Sequence, residues 1–166
     1  MATLDTDRKA IVEGTILSFA ATTNPDGSPN LSPKSSLRVH DEAHLLFANI
    51  ASPGTVRNLR RDRRIEINCV DIFARRGYRF SGRATIHSAG DPLYVALASE
   101  VRREHGPAIP VHDAVLVEVL EARPLLSPAY TFIAGVTEEG LRATYSRRYG
   151  VVPSRSWSRH HDDPEN

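Results

Sequence analysis

Gly77-Tyr78-Arg79-Phe80-Ser81-Gly82-Arg83-Ala84-Thr85-Ile86-His87 decides the fold class of this chain. Tyr78, Phe80, Gly82, Ala84 and Ile86 alternate with Arg79, Ser81, Arg83, Thr85 and His87. Period two is the repeat of a strand with one face in a core and the other in water, the pattern of an antiparallel sheet. Just before it, residues 64–71 place Ile65, Ile67 and Cys69 on one face, opposite Asn68 and Val70. Further on, residues 111–121 set Val115, Val117 and Val119 against Ala114, Leu116 and Leu120. A strand apolar on both faces is covered on both sides, by a core or an oligomer interface. Toward the N-terminus, the apolar run over residues 14–23 stops at Asn24-Pro25-Asp26-Gly27, a strong turn signal. The extended segment 29–39 then reads as the second arm of a hairpin. Residues 44–50, centred on Leu45-Leu46-Phe47, form a further strand.

Three helices interrupt the strands. Ser52-Pro53 supplies a cap and a first-turn proline for a helix reaching about residue 63, with Val56 and Leu59 turned inward. Asp91-Pro92 opens a second in the same way. Its stripe is Leu93, Leu97 and Val101, and Gly106-Pro107 ends it. The third covers residues 137–148. Six strands with hairpin-length links predict a mainly β fold, a small six-stranded antiparallel barrel with short helices. The order is not the alternating one of a doubly wound sheet, and no glycine-rich phosphate loop is present.

The chain has 166 residues, which suits one domain over residues 1–150 with a polar tail over 151–166. Basic and acidic residues number 21 and 20, a balance that argues against a nucleic-acid partner. One cysteine, Cys69, excludes an internal disulfide framework and fits a reducing compartment. No signal-like or membrane-spanning run is seen, so a soluble, cytoplasmic protein without a membrane partner is expected. His160, His161, Asp162 and Asp163 crowd the tail, but adjacent residues do not form a metal cage. No residue is assigned a catalytic or metal-binding role.

Only Lys9 and Lys34 are lysines; the other 19 basic residues are arginines. Lys34 lies in Ser32-Pro33-Lys34-Ser35-Ser36-Leu37-Arg38. At period two, Ser32, Lys34, Ser36 and Arg38 share one strand face, a poor core and a good anion site. It also reads as an ordinary exposed face. A helix start at residues 52–55 adds free N–H groups and a positive dipole end. Arg57, Arg60, Arg61 and Arg64 share a helical face, which is usually solvated, although Arg57 is close enough to the helix start to help hold an anion.

These segments resemble the FMN-binding split barrels of the pyridoxamine 5′-phosphate oxidase-like family. The likeness runs, in order, through residues 20–29, Asn30-Leu31-Ser32-Pro33-Lys34-Ser35-Ser36, Leu46-Phe47-Ala48-Asn49, the helix from Thr55 to Asp62, and residues 77–84. It implies a homodimer with FMN in grooves between the subunits. Pro33, Lys34, Ser35, Ser36 and Arg38 correspond to the strand that lines the flavin. Asn49, Ala51 and Thr55 correspond to the opposite wall, and Asn58 matches an asparagine common on that helix. The implied activity is that of an FMN-dependent oxidoreductase acting on a small molecule. The alternative is a non-catalytic protein binding FMN, haem or a deazaflavin. Pro53-Gly54 stands where many relatives carry Arg-Lys, and the tail with Arg155, Trp157, Arg159 and His160 lacks the oxidase's substrate segment. Synthesis of pyridoxal phosphate is therefore not expected. Trp157 is the tail residue that would cover a flavin if the tail folded back.

Overall fold

The structure, a computed structural model, describes residues 3–151. The expectations for the tail, including Trp157 and the His160, His161, Asp162 and Asp163 group, lie outside them. The elements run α1 (Thr6–Gly14), β1 (Ser18–Thr23), β2 (Pro29–Lys34), β3 (Arg38–Val39), β4 (His44–Asn49), α2 (Pro53–Arg61), β5 (Arg64–Asp71), β6 (Arg76–His87), α3 (Pro92–His105), β7 (Asp113–Leu126), α4 (Ala129–Phe132) and α5 (Glu138–Arg148). The strands form one sheet in the order β2-β1-β5-β6-β7-β4-β3, and every pairing is antiparallel. The fold is thus an antiparallel, curled split barrel with short helices, as expected.

Seven strands stand where six were expected, because the extended segment 29–39 is broken. β2 ends at Lys34, and the two-residue β3 begins at Arg38. The short link between them requires a curled sheet. β2 and β3 are its opposite edges, yet the chain from Lys34 to Arg38 reaches at most about 14 Å. A flat sheet of this width would hold its edges farther apart, so the sheet curls until they nearly meet.

The chain divides into two compact units. The first, Met1–Asp71 with Arg76–Leu126, holds the sheet. Leu45 and Phe47 of β4, Ile65, Ile67 and Cys69 of β5, Phe80 and Ala84 of β6, and the valines of β7 meet inside the barrel. Leu4, Ile11 and Val12 from α1 and its approach, with Val56 and Leu59 of α2, join the same core. α1 was not foreseen; its start is capped by Asp5, whose side chain accepts from the Arg8 N–H. The other face of β4 and β7 is also dry. Leu46, Ala48 and Ala114 pack there under Leu97, Ala98 and Val101 of α3. This answers the question of why β7 is apolar on both sides: one face lines the barrel and the other lies under α3. Across β6 and β7 the register shifts at Ser81/Gly82, leaving Leu120 as the extra residue of a bulge.

Among the described residues, the second unit gathers Ile72–Arg75 and residues 127–151. Phe73 meets Tyr149 edge-on, the Arg75 guanidinium lies 4.7 Å from the Tyr145 ring centre, and the Tyr130 hydroxyl donates to the Ala74 carbonyl. No described helix is long and apolar enough to cross a membrane.

Candidate functional site

β2 ends by burying an ammonium. Lys34 is 4% exposed. Its Nζ donates to Ser32 Oγ at 2.5 Å, Ser52 Oγ at 3.0 Å and the Pro33 carbonyl at 3.1 Å. It lies 5.4 Å from the ring centre of Phe47. Three neutral oxygens satisfy its protons but leave its charge without a counter-ion among the described residues. Burial pushes its pKa down to about 8, and no nearby acid offsets that.

Around Lys34 lies a cleft of about 220 Å³, lined by residues 32–36, Ala48 and residues 50–52. Its walls are β2 with the following bend, the end of β4, and the approach to α2. Five of the expected residues, Pro33, Lys34, Ser35, Ser36 and Ala51, line it. Ser36 is buried in the bend, where its Oγ accepts from the Ala48 N–H at 3.0 Å. That bond replaces a ladder bond that a continuous strand would have made. Ser52 occupies the cap position of α2, but its side chain makes no cap bond. The hydroxyl turns instead to Lys34. The serine was legible as a cap; its redirection to a lysine 18 residues away was not.

Arg38 leaves the cleft. The bend after Lys34 breaks period two, so the expected common face of Ser32, Lys34, Ser36 and Arg38 does not extend to Arg38. Its guanidinium reaches α3 and pairs with Glu100 at 2.6 Å and Glu104 at 3.2 Å. Asn49, Thr55 and Asn58 stand behind the wall. Asn49 Nδ2 donates to Asp113 Oδ2 at 2.9 Å, and its Oδ1 accepts from the Ser52 N–H at 3.3 Å. Thr22 Oγ1 accepts from Asn58 Nδ2 at 3.1 Å and from Asn30 Nδ2 at 3.0 Å. Asn30 Nδ2 also donates to Thr55 Oγ1 at 3.2 Å, and Asn58 Nδ2 to Asn24 Oδ1 at 2.9 Å. This buried network ties α2 to the β1–β2 hairpin. Asn58→Ala is expected to lower stability by about 2 kcal/mol, since it removes the donor to Asn24 Oδ1 and one of the two donors to Thr22 Oγ1 and leaves a gap. Equilibrium urea unfolding checks this; an unchanged midpoint would mean the network contributes little.

The arginine cluster does not form one face, because α2 ends at Arg61 and Arg64 belongs to β5. Arg61 donates to the Thr23 carbonyl, Arg63 to the Ala84 carbonyl, and Arg64 pairs with Asp62. Arg57 is exposed. Cys69 is buried beside Ser18, and burial pushes its thiol up to about 11, which makes it inert.

Residues 4–126 match the sequence profile of pyridoxamine 5′-phosphate oxidase. The chain belongs to the pyridoxamine 5′-phosphate oxidase family. Among solved structures, this family member is similar to HupZ of Group A Streptococcus, at 27% identity and a TM-score of 0.65, over 74% of this chain and 94% of that one. An FMN-binding protein of Syntrophomonas wolfei is 11% identical, with a TM-score of 0.63, over 70% and 82% of the two chains. General stress protein 26 of Bacillus anthracis is likewise 11% identical, with a TM-score of 0.56, over 71% and 90%. The last two likenesses are of fold alone. No curated protein matches the chain.

Proposed function

We propose that this family member binds FMN in the Lys34 cleft, where two copies meet, and acts as an FMN-dependent oxidoreductase on a small molecule. The observation that carries this reading is Lys34, a nearly buried ammonium with no counter-ion among the described residues, facing a cleft. Such a charge is stabilised by an anion arriving from outside. The residues present fit FMN, which brings a phosphate and a ring that becomes anionic on reduction. Bound FMN would supply hydride or electron transfer. Lys34 would offset the negative charge, and the Ser35 hydroxyl would donate to an acceptor. The α2 start, left without a side-chain cap, keeps its positive end toward the cleft.

The cleft of about 220 Å³ is smaller than the roughly 300–1,000 Å³ of a usual cofactor site. Part of FMN would then extend beyond this cleft, where a second copy would cover it. Phe19 is paired in register with Pro33 of the cleft and shares its sheet face with Leu31, and Leu17 lies just before β1. All three are exposed, Leu31 by 65%. An apolar strip that runs into the rim of the cleft supports the homodimer as the arrangement that completes the site.

One observation favours a second reading, retention of FMN, haem or a deazaflavin without turnover. Lys34 is the one titratable side chain lining the cleft among the described residues, and it is the group assigned here to the ligand's negative charge; no carboxylate, imidazole or thiol stands beside it for acid–base work. The two readings separate in one experiment. The purified chain, titrated with FMN, should show saturable quenching of flavin fluorescence, and NADPH or NADH should bleach the bound flavin. Binding without bleaching by either donor leaves the second reading. Absence of FMN binding rejects the first.

A further inference from the structure

A second cleft, of about 390 Å³, opens on the other side of residues 50–51. Ile50, Pro53 and Val56 give it apolar walls, and Arg57, Arg60 and His112 stand around them. Arg57 and Arg60 are three residues apart on α2, which puts both guanidinium groups on one side of the helix. Asp113 is the one carboxylate among the lining residues, and its oxygens are already taken. Oδ2 accepts from Asn49 Nδ2 at 2.9 Å, and Oδ1 accepts from Ser88 Oγ at 2.9 Å. Arg60 Nη2 makes a longer contact to the same Oδ1, at 3.4 Å. Side-chain exposure is 8% for Asp113 and 63% for Arg60, so the acid lies under the surface and most of the guanidinium above it. Arg57 is exposed and makes no ion pair or hydrogen bond among the described residues. Two guanidinium forks over an apolar floor, against one internally bonded acid, leave the cleft with unspent positive charge.

The geometry points to this cleft as a binding site for a small organic oxyanion, with a carboxylate or phosphate on Arg57 and Arg60 and an apolar body against Ile50, Pro53 and Val56. The planar fork of arginine suits two oxygens of one such group. The site shares only Ile50 and Ala51 with the Lys34 cleft, and neither carries charge. The cationic groups proposed to hold the anion, Arg57 and Arg60, are thus distinct from Lys34, and the proposal does not require a flavin in the other cleft.

The test uses the full chain, low salt and three probes: benzoate, phenyl phosphate and the neutral benzyl alcohol. Benzoate or phenyl phosphate should bind in calorimetric or saturation-transfer measurements at least about tenfold tighter than benzyl alcohol. The tighter of the two identifies the preferred head group. Replacing both Arg57→Gln and Arg60→Gln should weaken that binding by about tenfold or more. Because Arg60 touches Asp113, Arg57→Gln alone serves as the variant that leaves the fold undisturbed, and it should weaken binding by about threefold or more. Lys34→Met and added FMN should both leave anion binding unchanged. Equal binding of benzyl alcohol, no binding of either anion, full retention in the arginine variants, or displacement by FMN would each overturn the assignment. Loss of anion binding in Lys34→Met would place the anion in the other cleft and overturn it as well.

Discussion

Lys34→Met raises the stability of the protein without added cofactor at pH 7 and weakens its affinity for FMN about ten- to hundredfold, if the cleft acts as proposed. The two effects have opposite signs and one cause. Folding removes the ammonium from water and gives it only hydroxyl and carbonyl oxygens. Its pKa drops from 10.5 to about 8. Below pH 8 the group is charged in both the folded and the unfolded chain, and folding carries the whole penalty. At about 1.4 kcal/mol per pKa unit this is roughly 3–4 kcal/mol. Between about pH 8 and 10.5 the unfolded chain binds more protons than the folded one, so stability rises with pH. Methionine has a similar length, keeps the packing on Phe47 and carries no charge. Melting curves from pH 7 to 11 should show the variant ahead at pH 7, with the gap to wild type closing by about pH 10.5.

Ligand binding reverses the sign. An anion beside Nζ stabilises the ammonium and raises its pKa, so FMN affinity should be highest below pH 8 and fall as pH rises through that value. In Lys34→Met that fall is absent. A variant that is less stable than wild type at pH 7 contradicts the burial argument. A variant with unchanged FMN affinity removes Lys34 from the flavin site while leaving the burial argument intact.

Gly82→Ala is expected to destabilise the protein by about 3–5 kcal/mol, enough to prevent folding of a marginally stable domain. A Cβ at Gly82 would lie 2.3 Å from the Glu118 carbonyl oxygen and 3.0 Å from Val117 Cγ1. The obstructing oxygen is backbone of the neighbouring strand, held beside the bulge that bends the β6–β7 ribbon. Gly77→Ala meets the same obstacle, with the Cys69 carbonyl oxygen 2.0 Å from the added carbon. Gly54→Ala provides the contrast. Its added carbon meets nothing closer than a side-chain oxygen of Asn30 at 3.5 Å, so it should fold normally. Soluble yield and urea midpoints of the three variants check the ordering. A Gly82→Ala midpoint equal to wild type would show that the ribbon can shift at Leu120 without cost.

Much of the sheet was legible because its signals are local. The alternation in β6, the apolar face of β5, the Asn24-Pro25-Asp26-Gly27 turn and the Asp91-Pro92 helix start each need only a few neighbouring residues. Asp91 does cap α3, accepting from the Leu93 N–H at 2.8 Å. α1 escaped because only Ile11 and Val12 of its residues are buried, too few to mark a helical stripe. Its position comes from packing with Leu4 against strands far along the chain. The break at residues 35–37 escaped for a related reason: nothing in Ser35-Ser36-Leu37 forbids an extended conformation. The turn arises because this segment must join the two edges of a curled sheet.

Lys34 and Arg38 mark the boundary between the two kinds of information. As a sequence they are equivalent, two cations on one polar segment at period two, a pattern that reads as an anion site or as an ordinary exposed face. The strand pattern determined an antiparallel barrel. Only the tertiary structure decided that Arg38 meets Glu100 and Glu104 while Lys34 meets two hydroxyls and a backbone carbonyl. The physical reason is that alternation along a strand depends on backbone geometry within a few residues. Whether a cation finds a carboxylate depends on which distant helix the closed sheet brings alongside it.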